Sequence, residues 1–182
     1  ATDPGARVVT PQVKNERQQF IGRLEMLTII RTIQNRGVRR IVRCAFYSGM
    51  RLSEVLRAKV VNGCWYLADT KNGEPRIVPI HPRARSAAEC TEKKPAKITV
   101  QAYFREAARA LGYTDLHFHD LRHSSASEMI NAGVDLYTVG AVLGHKDARS
   151  TKRYSHLATS RLAVALGTIG KKSPPPPKKK AA

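Results

Sequence analysis

The chain has 182 residues, 42% of them hydrophobic, enough for one domain with a real core. It carries 32 Lys and Arg against 14 Asp and Glu, a formal charge of +18, and five lysines in the last dozen residues leave 18 − 5 = +13 on the remainder. That excess points to a polyanion, nucleic acid before membrane, and names no activity, since a basic structural protein would share it. The three cysteines, Cys44, Cys64 and Cys90, are an odd number without CxxC spacing, which argues against a disulfide framework and a structural zinc site. No apolar run approaches about 18 residues and the N-terminus lacks a signal-peptide core, so a soluble chain in a reducing, intracellular setting is expected.

Residues 1–19, with Pro4, Pro11 and a polar NERQQ run, read as a flexible arm or linker. From Phe20, apolar residues at Leu24, Leu27, Ile30 and Ile33 predict a helix closed by Gly37, and Ile41, Val42, Ala45 and Phe46 predict a second that breaks at Ser48-Gly49. Ser53 is placed to cap a short helix with Glu54 in its first turn, which leaves Arg51 in the turn between two helices. Trp65 and Leu67, then Ile77 and Pro79, alternate about the turn signals Asn62-Gly63 and Asn72-Gly73, predicting a three-stranded antiparallel sheet with Lys71 at the second hairpin tip.

Residues 83–97 give a short helix and a loop. Thr99 to Leu111 is a helix ended by Gly112, with Val100, Tyr103, Phe104 and Ala107 on its apolar face. His119 to Ala132 follows, stopped by Gly133. Asp135 caps Leu136 to Leu143, stopped by Gly144, and Asp147 caps a short helix leading to Tyr154. Tyr137 lies inside the capped apolar helix and reads as packing. Residues 167–182, rich in proline and lysine, read as a disordered tail.

The polar residues that a core does not need fall in the order Arg51, Lys71, His119, Arg122, His145, Tyr154. His119, Arg122 and His123 stand at i, i+3 and i+4, so one helix face carries all three. Metal binding is not expected, because no carboxylate or cysteine stands at matching spacing from the His119/His123 pair. In their local contexts these residues resemble the catalytic domain of the tyrosine recombinase (phage integrase) family. SGMRLSEV resembles its first arginine box, HDLRH its histidine-x-x-arginine box, LGHKDARSTKRYSH its tyrosine box, and TKNGEPRIVPI the strand-turn-strand that presents its lysine. The resemblance covers roughly residues 20–166 and implies an α+β fold, mostly helical with a small three-stranded antiparallel sheet.

It also implies a chemistry. Tyr154 would attack the scissile phosphate, giving a 3′-phosphotyrosine and a free 5′-hydroxyl, with Arg51 and Arg122 clamping the phosphate and Lys71 protonating the leaving oxygen. His119 would accept or organise the tyrosine proton, and His145 would donate to a non-bridging oxygen. Glu54 and His123 would support them, Glu54 as a buttress and His123 as the basic position after the second arginine. No cofactor or metal is implied.

The implied partners are double-stranded DNA attachment sites held by a homotetramer, with accessory DNA-bending proteins, in phage integration or excision within the bacterial cytoplasm beside the nucleoid. The family's usual N-terminal core-binding domain has no room here, so a catalytic-domain fragment is expected. Two alternatives stay open. One is a non-enzymatic basic module using residues 124–143 as a helix-turn-helix, and the other is a type IB topoisomerase, which shares the chemistry but acts as a monomer.

Overall fold

The computed structural model describes residues 19–68, 75–145, 147, 149–152, 154 and 155. In chain order these form α1 (Arg23–Thr32), α2 (Arg36–Ser48), α3 (Leu52–Arg57), β1 (Lys59–Val61), β2 (Cys64–Leu67), β3 (Arg76–Pro79), a single 3-10 turn (Pro82–Ala84), α4 (Arg85–Ala88), α5 (Lys97–Ala110), α6 (Asp120–Asn131), α7 (Leu136–Leu143) and α8 (Arg149–Lys152). This is the mostly helical domain with a three-stranded antiparallel sheet that the sequence predicts, the strands lying in the order β1-β2-β3.

The helix starts differ from expectation where a stronger signal lay nearby. Gly37 does not close the first helix. It lies in the first turn of α2, because Asn35 caps that helix by accepting the Val38 N–H at 3.0 Å, and α1 already ends at an extended Ile33. α1 turns Met26, Ile29, Ile30 and Ile33 inward, and Leu24 is 73% exposed. Ser53 does not cap α3. The cap position is Arg51, whose N–H is taken by the Glu54 carboxylate at 2.9 Å, an interaction that also suits a carboxylate at the positive end of the helix dipole. α5 begins at Lys97, just after Pro95, two residues before Thr99.

In the sheet the alternation runs in the opposite phase on β3. Trp65 and Leu67 of β2 are buried, and Trp65 pairs with Val78 and Leu67 with Arg76, so Arg76, Val78 and Ile80 point inward while Ile77 is exposed. Tyr137 is the other reversal, 87% exposed rather than packed, and Tyr103 sits at the edge of its helix's buried face.

Two apolar clusters meet at α6. The larger is built from α1, α2, α3, the sheet and α5, around Met26, Ile29, Val42, Trp65 and Phe104. The smaller gathers Ala126, Ile130, Val139, Leu143 and Tyr154. α6 belongs to both, with Leu121 in the first cluster and Ala126 and Ile130 in the second. It lies against α2 through small side chains. Ser125 Oγ donates to Phe46 O at 2.5 Å, and Ser124 Oγ accepts the Ile21 N–H at 2.9 Å while donating to Asp120 O. Buried hydroxyls satisfied in this way let two backbones approach without leaving polar atoms orphaned.

The junction between clusters depends on Gly49, which ends α2 at φ +65°. A Cβ there would stand 2.6 Å from Leu143 Cδ2. Gly49→Ala combines a left-handed alanine with overpacking, so a loss of about 2–4 kcal/mol in urea unfolding is expected. A loss below about 0.5 kcal/mol would mean that the junction yields more easily than its packing indicates.

Candidate active site

Three guanidiniums and one carboxylate converge where α3, β3 and α6 meet. Arg51 leaves the α2–α3 turn as the cap residue of α3, and Glu54 follows one helical turn later, 1% exposed. The Glu54 carboxylate pairs with Arg51 Nη1 through Oε1 and with Arg76 Nη2 through Oε2, each at 2.9 Å. Arg122, 4% exposed on the first turns of α6, donates from Nη1 to the Gly49 carbonyl at 2.8 Å. Its Nη2 is buried with no hydrogen-bond partner among the described residues, and so is Arg76 Nε.

Burial lowers the Arg122 pKa to about 10, with nearby Arg51 and Arg76 pushing the same way and Glu54 opposing them. Arg76 is lowered too, chiefly by burial, with Glu54 opposing. Among the described residues one carboxylate pairs within this group of three guanidiniums, around a buried N–H with no hydrogen-bond partner. A buried donor without a partner costs about 1–3 kcal/mol, so this arrangement is built for an anion with several oxygens.

The candidate nucleophile is Tyr154. It is 4% exposed and packed in the smaller cluster, and its phenol lies close enough to Arg122 to raise the guanidinium's pKa. The Tyr154 hydroxyl is 2.5 Å from His123 Nδ1, and the His119 ring meets the His123 ring edge-on at 5.2 Å. His123 is thus in contact with the hydroxyl, although from sequence it has only a supporting role as the basic position after the second arginine. Helical spacing explains the pairing, since i and i+4 put the two rings one above the other.

His145 follows Gly144, which ends α7 in the left-handed conformation. Its Nδ1 lies 2.8 Å from Thr151 Oγ1. With Thr151 donating, Nε2 carries the ring proton, the tautomer a phosphate-oxygen donor requires. Lys71 lies outside the described residues.

Arg76 was not among the residues singled out from sequence. Reading β3 one residue out of phase had turned it to solvent. Its guanidinium also packs on the bare Cα of Gly144: a Cβ there would overlap Nη1 and stand 2.8 Å from Cζ. Arg76 thus ties the strand after Lys71 to both the first arginine turn and the loop that presents His145. The strand's inward phase, anchored by Trp65 and Leu67, was the signal that would have found it.

A basic helical domain that sets a tyrosine hydroxyl against a histidine, near converging arginines, holds the kinds of group that phosphoryl transfer needs. The comparison with known proteins is specific. The model of the phage integrase family matches residues 21–161, and the chain belongs to that family. Among curated proteins it is 28% identical to the shufflon-specific DNA recombinase of Escherichia coli, covering 91% of this chain and 47% of that protein. It is 25% identical to tyrosine recombinase XerC of Staphylococcus epidermidis, over 88% of this chain and 64% of that one. The chain thus spans about half to two-thirds of these relatives. Among solved structures, the catalytic domain of bacteriophage HP1 integrase superposes with a TM-score of 0.66 at 25% identity, covering 85% of this chain and 98% of that one.

Proposed function

We propose that this chain carries the DNA-cleaving and rejoining centre of a site-specific tyrosine recombinase. The observation that supports this reading best is the buried, unpartnered Arg122 Nη2 beside Arg51, Arg76 and the Tyr154 hydroxyl. A phosphodiester set there would complete Arg122's hydrogen bonds. The Tyr154 oxygen then attacks phosphorus, the bond to the 5′-oxygen breaks, and a 3′-phosphotyrosine remains. His123 is the group placed to take the phenolic proton, with His119 behind it. Arg51, Arg122 and His145 stabilise charge on the non-bridging oxygens, Glu54 holds Arg51 in place and is itself held by Arg76, and Lys71 protonates the departing 5′-oxygen. Attack by another strand's 5′-hydroxyl reverses these steps and rejoins the DNA without nucleotide energy.

Residues 20–166 make up the catalytic unit on this reading, flanked by the arm and the basic tail. Four copies on paired attachment sites, with accessory DNA-bending proteins, carry out integration or excision of a phage-type element in the cytoplasm. The likeness to the bacteriophage HP1 integrase domain, at 25% identity, is the support for a phage role. A helix-turn-helix reading of α6 and α7 is disfavoured, because α6 is a buried helix shared by both clusters. The test is a nicked duplex that traps the covalent adduct. An adduct that forms in EDTA and is missing from Tyr154→Phe is expected, and no adduct from the parent chain on its own attachment site would contradict the proposal.

A further inference from the structure

α2 carries a second concentration of positive charge at the end away from the site just described. Arg36, Arg39, Arg40 and Arg43 recur at i, i+3, i+4 and i+7, the spacing of one helical face, and with Arg31 of α1 and Ser86 of α4 they line an open cleft of about 370 Å³. Helix physics disfavours this pattern. Like charges at i and i+4 repel, as Arg36/Arg40 and Arg39/Arg43 do, and the first turn of α2, at the positive end of the dipole, holds no acidic residue. The compensation among the described residues is thin. Arg40 pairs with Glu92 at 2.5 Å, and that carboxylate is itself largely exposed. Arg39 donates from Nη2 to Gln34 O at 3.2 Å, while its Nε is buried with no hydrogen-bond partner.

We propose that this cleft is a second phosphate-binding surface, taking the sugar-phosphate backbone of duplex DNA at a point distinct from the reacting phosphate. The identity of the polyanion as DNA rests on the recombinase reading; the cleft itself does not. Arginine forks match phosphate oxygens, and the row from Arg36 to Arg43 runs roughly 10 Å along the helix at about 1.5 Å per residue. One DNA strand rises about 3.4 Å per phosphate along the duplex axis and its backbone path is longer, so the row is long enough to reach more than one phosphate rather than to cage a single ion. From Arg36 to the helix end that presents Gly49 is roughly 18 Å, which separates the two surfaces. Electrostatic repulsion retained in the free protein is relieved when the strand docks.

The experiment compares the full chain with the triple variant R36Q/R39Q/R43Q, none of whose positions belongs to the reacting cluster. Binding of a labelled duplex of arbitrary sequence is followed between ~50 and ~200 mM salt, with the thermal midpoint of each free protein measured alongside. The expected result is a salt slope shallower by about 2–3 phosphate contacts in the triple variant, together with an unchanged or higher thermal midpoint. Arg51→Ala serves as the reference for losing a single contact. An unchanged slope would overturn the cleft, as would a sharp fall in midpoint, which would make the arginines structural. Tripolyphosphate that raises the parent's midpoint but not the variant's, with the duplex slope unaltered, would also overturn it, because the site would then take a free polyphosphate. A parent chain that binds no duplex at all would instead bring down the recombinase reading, and with it the assignment of DNA to the cleft.

Discussion

Arg122→Lys is expected to slow single-turnover cleavage of a nicked duplex by roughly 10²–10³-fold or more while the protein remains folded. Arg122 reaches the site from inside the domain, fixed by its Nη1 bond to the Gly49 carbonyl, and offers Nη2 to whatever occupies the cluster. A lysine supplies one compact ammonium that cannot hold the carbonyl and the phosphate in the same plane. The charge itself has a stability consequence. The folded pKa, about 10, lies below the usual guanidinium value because burial and the neighbouring arginines disfavour the charged form. The unfolded chain therefore holds this proton more tightly, so the charged Arg122 costs stability below pH 10, and that cost is relieved only as pH rises beyond it. At neutral pH an oxyanion does the same work. Sulfate or phosphate at millimolar concentration is expected to raise the thermal midpoint of the parent chain and to do so much less for Arg122→Ala. Equal shifts in both would contradict the assignment of Arg122 as the principal anion ligand.

The second large effect is on stability. Glu54→Ala is expected to cost about 3–5 kcal/mol in urea unfolding, because removing one partner of a buried ion pair leaves its companions uncompensated. Here there are two such companions, since the carboxylate bridges Arg51 and Arg76 and also accepts the Arg51 N–H. Three guanidiniums would then face one another across the empty place. Sulfate should recover part of the loss by taking that place. A cost under about 1 kcal/mol would show Glu54 to be a rim charge of the ordinary kind, at odds with its burial.

The residues that chemistry requires in a fixed local setting could be read from the chain. Arg51 between two helices, Glu54 one turn on, Arg122 inside the HDLRH helix and Gly144 as the stop before His145 sit where the flanking breaks placed them, although the cap of α3 is Arg51 itself rather than Ser53. The capping signals at Asp135 and Asp147 set α7 and the approach to Tyr154 for the same reason: a side chain reaching its own backbone is a local event. What sequence could not settle depended on which of two close alternatives the packing chose. β3 could present either Ile77 or Val78 inward, and its pairing with Trp65 selected Val78, which carried Arg76 into the site. The choice of His123 over His119 against the phenol depends on where α8 delivers Tyr154 relative to α6, a long-range fact that no spacing within HDLRH contains. Gly37 was ambiguous because glycine ends helices as readily as it tolerates a first turn, and Asn35 decided it.

The central claim is that Arg51 and Arg122, from separate elements and braced around Glu54 with Arg76, gather one phosphodiester in front of Tyr154. Peptide mapping of the covalent adduct on a nicked duplex carrying the attachment site tests it most directly. The expected result is a 3′-phosphate on Tyr154, formed in EDTA and undetectable in Arg122→Ala. An adduct on another tyrosine, or one that persists undiminished in Tyr154→Phe, would contradict the account.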